Sequence, residues 1–220
     1  MPFVYIIPED YFGPVVTLFD QPDGITPKLG PEGNEVRVPH NGIIKIKTAG
    51  RFDQSEKYPG RSVLFFVEKK DGSKQLLPET LSPWQNFEAP NRPWLVGLRG
   101  TDGKIHSFPI REGFTFDPLP KEYHDKTIIL WHEPCQDRVF SLQWPAYYAG
   151  EKTAEELDIP QCGEFAVGTI TQVKNWPDWM HLRGRARSEE NRAYVSIDEL
   201  VKEADDRAIK KKQLVLPEAP

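Results

Sequence analysis

The chain has 220 residues, of which 38% are hydrophobic and 28% charged, a composition typical of soluble globular proteins. Its formal net charge of -5 argues against non-specific binding to nucleic acid or to an anionic membrane. No apolar run reaches the roughly 20 residues that span a bilayer, and the N-terminus lacks the regions of a signal peptide. We therefore expect a cytoplasmic protein if Met1 is native, and a periplasmic or envelope-associated one if a signal has been removed.

The first half of the chain alternates short apolar runs with turn residues. Asp71-Gly72 and Asp102-Gly103 each separate two such runs, and this arrangement is typical of a β-hairpin. Short runs at regular spacing predict a β-sandwich or barrel. The predicted strands are Phe3–Ile7, Val15–Phe19, Val36–Val38, Ile43–Ile46, Ser62–Glu68, Lys74–Leu77, Trp94–Arg99 and Lys104–Ile110.

The segment Asp117–Pro120, with the sequence Asp-Pro-Leu-Pro, is the best candidate for a domain boundary. We predict a β-sandwich-like domain over 1–118 and a second β-rich domain over 119–220. A Thr-x-x-Glu pattern predicts a short helical turn at Thr153–Leu157. The predicted strands of this half are Thr127–Trp131, Val139–Trp144, Phe165–Val173 and Met180–Ala186, of which the last two would form a hairpin.

One segment near the C-terminus, 196–212, has clear helical periodicity. Ser196 and Glu199 form a Ser-x-x-Glu capping box at its start. One face of this helix is apolar and carries Ile197, Leu200, Val201, Ala204 and Ala208. The predicted fold class is therefore mainly β: one or two β-sandwich-like domains of short antiparallel strands, with one C-terminal α-helix.

The N-terminal segment contains the motif Tyr-Ile-Ile-Pro-Glu-Asp-Tyr-Phe-Gly-Pro-Val at Tyr5–Val15. An Asp-Gln-Pro-Asp-Gly turn follows at Asp20–Gly24, and Val-Pro-His-Asn-Gly-Ile at Val38–Ile43. These elements resemble those of a family of uncharacterised bacterial β-rich domains with a YIIPExYxGPV-like motif, over the first quarter to half of the chain. The resemblance implies a small β-sandwich-like domain that is often exported in its relatives, with no established activity.

The two cysteines, Cys135 and Cys162, are too few for a disulfide framework. We expect buried or free thiols, with a single disulfide or a metal role as alternatives. His132 and Cys135 have usable ligand spacing for zinc, and Cys162, His124 and His181 could complete a set, but no second close-spaced pair accompanies them.

Motifs for catalysis and cofactor binding are absent from the sequence. It contains no Gly-x-Ser-x-Gly elbow, no Gly-x-Gly-x-x-Gly and no P-loop. His132, Cys135 and Asp137 are close in the sequence, but their segment has the composition of a turn between strands. We therefore predict no catalytic, cofactor-binding or metal-binding residues, and no cofactor.

Two groups of side chains are candidates for binding a partner. On a strand, Arg183, Arg185 and Arg187 would share one face, which is either a solvated face or a patch for an acidic partner. The aromatic residues of predicted loops either cover the open ends of the β-structure or form interface hot spots. These aromatic residues are Trp176, Trp179, Tyr147 and Tyr148.

We predict from these features a non-enzymatic protein-binding protein without nucleic-acid partners or a transmembrane segment. Its best hypothetical role is that of an immunity protein that neutralises a cognate bacterial toxin, because an acidic inhibitor is attracted to the basic cleft of such a toxin. The alternatives are an envelope-associated domain that binds a surface ligand, and an unrecognised hydrolase.

Overall fold

The structure, a computed structural model, describes residues 1–58, 60–86, 88, 93–110, 116–135, 139–140, 149–152, 160–183 and 193–215. Its described part is mainly β, with two mixed sheets and one long helix at the C-terminal end. The predicted fold class is confirmed. Within the described ranges, no helix is long and apolar enough to cross a membrane.

The smaller sheet has five strands in the order β3-β4-β1-β6-β7, and the larger has seven in the order β10-β9-β8-β11-β12-β2-β5. The smaller sheet consists of β1 (Phe3–Pro8), β3 (Lys28–Gly30), β4 (Gly33–Arg37), β6 (Val63–Glu68) and β7 (Lys74–Leu76). The larger consists of β2 (Gly13–Leu18), β5 (Ile43–Lys45), β8 (Glu79–Gln85), β9 (Trp94–Arg99), β10 (Ile105–Pro109), β11 (Ile128–Pro134) and β12 (Cys162–Gly168). In the described ranges, helices run over Ile170–Lys174 (α1) and Ile197–Val215 (α2), and 3-10 turns occur at Lys121–Tyr123 and Asp178–Met180.

The chain crosses repeatedly from one sheet to the other through β-arches, which are turns joining strands of different sheets. The first arch joins β1 to β2, and the second joins β4 to β5. Because both arches cross in the same direction, β1 pairs in parallel with β4, and β2 pairs in parallel with β5. The predicted hairpins β6–β7 and β9–β10 are antiparallel as expected, whereas the arches make the sheets mixed.

The two arches touch at Gly42. Its amide donates to the Pro39 carbonyl oxygen at 2.9 Å, and its own carbonyl accepts from the Val16 amide at 2.9 Å. Gly42 has a φ of +79°, and a Cβ there would overlap the Tyr11 hydroxyl oxygen and the Pro14 carbonyl oxygen. The Tyr11 hydroxyl donates to that carbonyl at 2.7 Å. Two of the three elements that carry the N-terminal resemblance, Tyr5–Val15 and Val38–Ile43, therefore form the arches and their contact.

The main core lies between the sheets and is rich in aromatic rings. Tyr5 stacks on Phe65 with ring centroids 5.3 Å apart, and Phe165 meets both rings edge to face. The Tyr5 hydroxyl lies 2.7 Å from Thr17 Oγ1, so the polar atoms of this buried pair satisfy each other.

The outer face of the larger sheet is covered by helices. Leu200 of α2 packs over Val16 and Leu18 of β2, and Ile170 and Val173 of α1 pack over neighbouring strands. Strands from both sides of the predicted boundary at 118 lie in this sheet, because β12 pairs with β2. The two predicted halves of the chain thus share one sheet in the described structure.

The predicted hairpin of Phe165–Val173 with Met180–Ala186 is wrong for its described residues. The first strand ends at Gly168, and the chain continues as α1. Thr169 and Gln172 form a capping box, which starts a helix in spite of the β-branched residues that follow. Met180 lies in a 3-10 turn. Val139 and Phe140, the described part of the predicted strand Val139–Trp144, form no strand. Residues 141–144, 153–157 and 184–186 lie outside the described residues, and β3 and β8 were not predicted.

The predicted C-terminal helix is confirmed and continues to Val215. The Glu199 amide donates to Ser196 Oγ at 3.2 Å, which is the expected cap. The Glu199 carboxylate, however, accepts from the Val195 amide at 3.0 Å rather than from that of Ser196. The apolar face predicted for this helix is the face that packs on the sheet, with Leu200 and Ala204 fully buried.

Replacing Gly42 by alanine tests the contact between the arches. The left-handed conformation costs an alanine about 1–2 kcal/mol, and the overlap with Tyr11 and Pro14 adds to it, so we expect a loss of about 3 kcal/mol or more in the free energy of unfolding. Gly72→Ala is the matched control, since Gly72 has a φ of +82° and open space around its Cβ position. Urea unfolding measures both, and equal losses in the two variants would contradict the contact's importance.

Candidate functional site

The described partner-binding candidates lie on the outer face of the larger sheet, beside α2. The ring of Trp176 is half-buried, with its centroid 5.6 Å from that of His181, and lies close to Gly168. Trp179 is also half-buried, and the ammonium of Lys210 lies 5.7 Å from its ring centroid. Both rings are thus supported from one side by the protein and remain partly open to solvent.

Arg183 does not belong to an arginine stripe on a strand, as the described residues 180–183 form no strand. Its Nε lies 2.7 Å from a Glu203 oxygen and its Nη1 lies 2.6 Å from a Glu199 oxygen, both on α2. Burial alone would lower the pKa of Arg183, but these two carboxylates raise it above its usual value. The guanidinium therefore neutralises charges of its own chain. Tyr147, Tyr148, Arg185 and Arg187 lie outside the described residues.

A buried polar network holds α2 against the sheet. Arg207 is 3% exposed and donates from Nη2 to Glu203 at 3.1 Å and to the Tyr194 hydroxyl at 3.3 Å. The Tyr194 hydroxyl in turn donates to Glu203 at 2.6 Å. Arg207 Nε also donates to the Trp179 carbonyl oxygen at 3.2 Å, so the network fixes the segment that carries the tryptophans.

The amine of Lys211 is buried at the next turn of α2. It donates to the Phe12 carbonyl oxygen at 2.6 Å and lies 4.3 Å from the ring centroid of Tyr11, at the first arch. Burial, and then the charge of Arg207, lower the pKa of Lys211 from 10.5 to about 8. Lys211 follows Ala204 by seven residues and Leu200 by eleven, and this helical spacing places it on the buried face of α2. The spacing is the signal in the sequence that indicates its burial.

Four described residues that lie close to undescribed stretches of the sequence pack next to one another beside this network. Leu182 and Tyr194 pack in one cluster with Val139 and Phe140. The Tyr194 amide donates to the Val139 carbonyl oxygen at 2.7 Å. We use the name loop face for the surface formed by Trp176, Trp179 and Arg183.

Cys135 and Cys162 form a disulfide, with Cα atoms 5.3 Å apart. The expectation of free thiols is therefore wrong, and the alternative of a single disulfide is correct. The bond joins the residue after β11 to the first residue of β12, across a sequence separation of 27. The bond therefore joins the two ends of the connection between β11 and β12. This connection contains residues 139–140 and the undescribed Tyr147 and Tyr148.

The disulfide and a bulge in β11 separate the residues of the hypothetical zinc site. The pairing register of β11 shifts between Leu130 and Glu133, and Trp131 has a φ of +54°. Trp131 turns to the outer face, where its ring centroid is 6.3 Å from that of His181, whereas His132 turns inward against Phe65. The described residues contain no group of three or more potential ligands that could hold a metal ion.

His132 belongs to a buried ionic cluster around Glu79. The Glu79 carboxylate lies 2.7 Å from Arg99 Nη1, 3.9 Å from Arg61 Nη1 and 3.4 Å from His132 Nδ1. Burial alone would raise the pKa of Glu79, but the hydrogen bond and charge of His132 and the charges of both arginines lower it below its usual value. Arg61 is 1% exposed and donates from Nη2 to the Gly100 carbonyl oxygen at 2.5 Å. This cluster joins the segment before β6 to the end of β9, and no local pattern in the sequence indicates it.

Two cavities border the described structure near polar side chains. A crevice between Trp131, Glu164 and His181 has a volume of about 10 Å³, which is the room needed for one water molecule. A wider cleft of about 470 Å³ lies between the β6–β7 hairpin and the 3-10 turn at Lys121–Tyr123. Its walls include Lys69, Lys126 and Thr127, so it has the size and polarity to accept a small polar molecule.

No protein-family model matches this sequence, and no curated protein matches it. Among solved structures, the chain is similar to one named "Putative Lipoprotein from Bacillus anthracis". The sequence identity is 14% and the TM-score 0.28, and the alignment covers 55% of this chain and 74% of that one. A TM-score this low does not establish a shared fold.

The depressed pKa of Lys211 predicts how stability depends on pH. Between the folded pKa of about 8 and the ordinary 10.5, the unfolded chain holds a proton on Lys211 that the folded chain lacks, so stability rises with pH there. Relative to Lys211→Met, the free energy of unfolding of the natural chain should rise by about 2 kcal/mol between about pH 8 and about pH 9.5.

Urea titrations of both chains at several pH values measure this difference. Burial raises the pKa of the neighbouring Tyr11, so its hydroxyl stays protonated throughout this window. A difference between the two chains that stays constant with pH would show that the Lys211 amine titrates normally.

Proposed function

We propose that this protein is a non-enzymatic binding protein that works outside the cytoplasm, in the bacterial cell envelope, and recognises a protein partner through its loop face. The observation that carries this proposal is the Cys135–Cys162 disulfide. Disulfides persist in oxidising compartments and are rare in the cytosol, where thiol reductants keep cysteines reduced. The N-terminal segment resembles a family whose members are often exported, and this resemblance favours the same location.

The loop face has the features of a recognition surface on a rigid scaffold. Trp176 and Trp179 are half-buried, so each ring is held in place and still offers area to a partner. Arg207 fixes the backbone at Trp179, and Arg183 bridges this segment to α2. Binding residues are often carried by segments that a scaffold positions, and the disulfide joins the two ends of the connection from β11 to β12.

The immunity hypothesis is the second candidate, and the net charge of -5 favours it. An acidic protein is steered towards a basic toxin by complementary charge, whatever the compartment. A cytoplasmic immunity protein would keep its thiols reduced, however, and so would lack the bond that ties β11 to β12. A hydrolase that uses Cys135 as nucleophile is incompatible with the disulfide, because the sulfur is already bonded.

The redox state of the cysteines in the native cell tests the location. Intact cells are treated with a membrane-permeant alkylating reagent before lysis, and the protein's mass is then measured. We expect no alkylated cysteine, because both sulfurs are in the disulfide. A protein with two alkylated cysteines would come from a reducing compartment, which would contradict the envelope location and favour the cytoplasmic immunity protein.

Capture of a partner by matched variants tests the loop face. The tagged full chain should retain one stoichiometric protein from a native envelope extract, and Trp176→Ala/Trp179→Ala should weaken this binding about tenfold or more. Trp179→Ala alone is a second variant, in case the loss of Trp176 destabilises its surroundings. Leu29→Ala is the control, since Leu29 is 71% exposed on β3 of the other sheet. Equal capture by all variants, or capture of nothing, would overturn the proposal.

A further inference from the structure

The cleft of about 470 Å³ lies at the end of the two sheets where β1 and β6 stop. The chain passes there from the smaller sheet to the larger one through Leu77 and Pro78. The turn between β9 and β10 contributes Thr101 to the lining, and the segment before β11 contributes Tyr123 and Lys126. Ligand pockets have volumes of about 300–1,000 Å³, so the cleft has the size of a binding site. None of its lining residues belongs to the loop face, so this site is independent of the proposed function.

The buried part of the lining is apolar, whereas the exposed rim can form hydrogen bonds. Val67, Leu76 and Leu77 form the buried part, and each is at most 9% exposed. Two hydroxyls and one amide lie on the exposed rim, those of Thr101, Thr127 and Gln75. Each of these groups can both donate and accept a hydrogen bond. A sugar ring matches this pattern, because its C–H groups pack on apolar side chains while its hydroxyls bond to the rim.

The charges of the rim favour an anion. Glu9 is the only carboxylate among the described residues that line the cleft, against the two ammonium groups of Lys69 and Lys126. One Glu9 oxygen lies 3.5 Å from Lys69 Nζ, and the other accepts from the Lys70 amide at 3.2 Å. Glu9 therefore compensates the charge of Lys69 and holds it at the rim.

The charge of Lys126 has no such compensation. Its ammonium lies 5.1 Å from the ring centroid of Tyr123, and it forms no ion pair with any carboxylate of the described residues. The ring favours a cation at this position through its negative face. The lining thus carries one positive charge in excess, and this charge is the one that a ligand can neutralise.

Backbone hydrogen bonds fix the walls of the cleft. The Leu77 amide donates to the Phe65 carbonyl oxygen at 2.8 Å, and the Ile129 amide donates to the Pro78 carbonyl oxygen at 2.9 Å. On the facing wall, the Tyr123 amide closes its 3-10 turn with a hydrogen bond of 2.9 Å. A site that is already ordered binds a small molecule without the cost of ordering itself.

We propose that this cleft binds an acidic sugar, which is a monosaccharide that carries a carboxylate or a phosphate group. The anionic group pairs with the Lys126 ammonium, and the hydroxyls of the sugar bond to Gln75, Thr101 and Thr127. The ring lies against the buried apolar part of the lining. A carboxylate and a phosphate both accept charge-assisted hydrogen bonds from an ammonium, so the two kinds of acidic sugar share one recognition chemistry.

Calorimetric titration of the full-length chain with separate ligands tests the proposal. The ligands are glucuronate, glucose 6-phosphate and glucose, together with acetate and inorganic phosphate. We expect at least one of the two acidic sugars to bind with a dissociation constant of about 1 mM or below. Glucose lacks the charge, and the two simple anions lack the ring, so each should bind about tenfold more weakly or less. The stronger of the two acidic sugars identifies the anionic group.

A lysine variant and its matched control locate the binding. Lys126→Gln removes the charge from an exposed side chain and should weaken the binding of the acidic sugar about tenfold. Lys28→Gln makes the same change in net charge on exposed β3, at the opposite edge of the smaller sheet from β7, and should leave the binding unchanged. Circular dichroism confirms the fold of both variants.

Several outcomes would overturn the proposal. The natural chain could bind neither acidic sugar, or it could bind glucose or a simple anion as tightly as the acidic sugars. Equal binding by Lys126→Gln and the natural chain would show that the charge of Lys126 has no part in recognition.

Discussion

The fold depends on the close packing of two β-arches at Gly42. A side chain at this position would occupy the space of the Tyr11 hydroxyl and the Pro14 carbonyl, so glycine allows the second arch to lie against the first. This contact sets the parallel registers of β1 with β4 and of β2 with β5, and hence the order of strands in both sheets. The α2 helix depends on it as well, because the Lys211 amine bonds to the backbone of the first arch at Phe12.

Buried and half-buried charged side chains connect elements that are distant in the sequence. Glu79 is shared by Arg61 and Arg99, and Glu203 is shared by Arg183 and Arg207. Burying such groups is costly, and an apolar replacement is often as stable, so their contribution is better understood as fixing position than as adding stability. At the loop face, position is what recognition requires, because the network around Arg207 fixes the backbone that carries the tryptophans.

Local signals in the sequence were sufficient for part of this structure. The Asp-Gly hairpins and the Ser196 cap act within a few residues, and both were predicted correctly.

The arches were not predicted as arches, because the pairing of β1 with β4 joins distant residues and leaves no periodic signal. A strand was predicted over Phe165–Val173 because its β-branched residues favour a strand. The capping box at Thr169, which starts a helix in the structure, was given too little weight. Arg183 was assigned to a surface stripe for a related reason, since its carboxylate partners lie on α2, a separate element. The disulfide remained one of several alternatives, because only the fold brings the two cysteines together.

The larger sheet supports the loop face over more than one of its strands. Leu200 of α2 packs over β2, whereas Trp176 packs in a cluster with residues of β9 and β11. The loop face therefore rests on interior strands of a seven-stranded sheet, and α2 holds the backbone at Trp179 through Arg207. Binding to a surface that is already ordered costs less free energy than binding that must first order it, so this arrangement favours affinity for a partner without a change in the backbone.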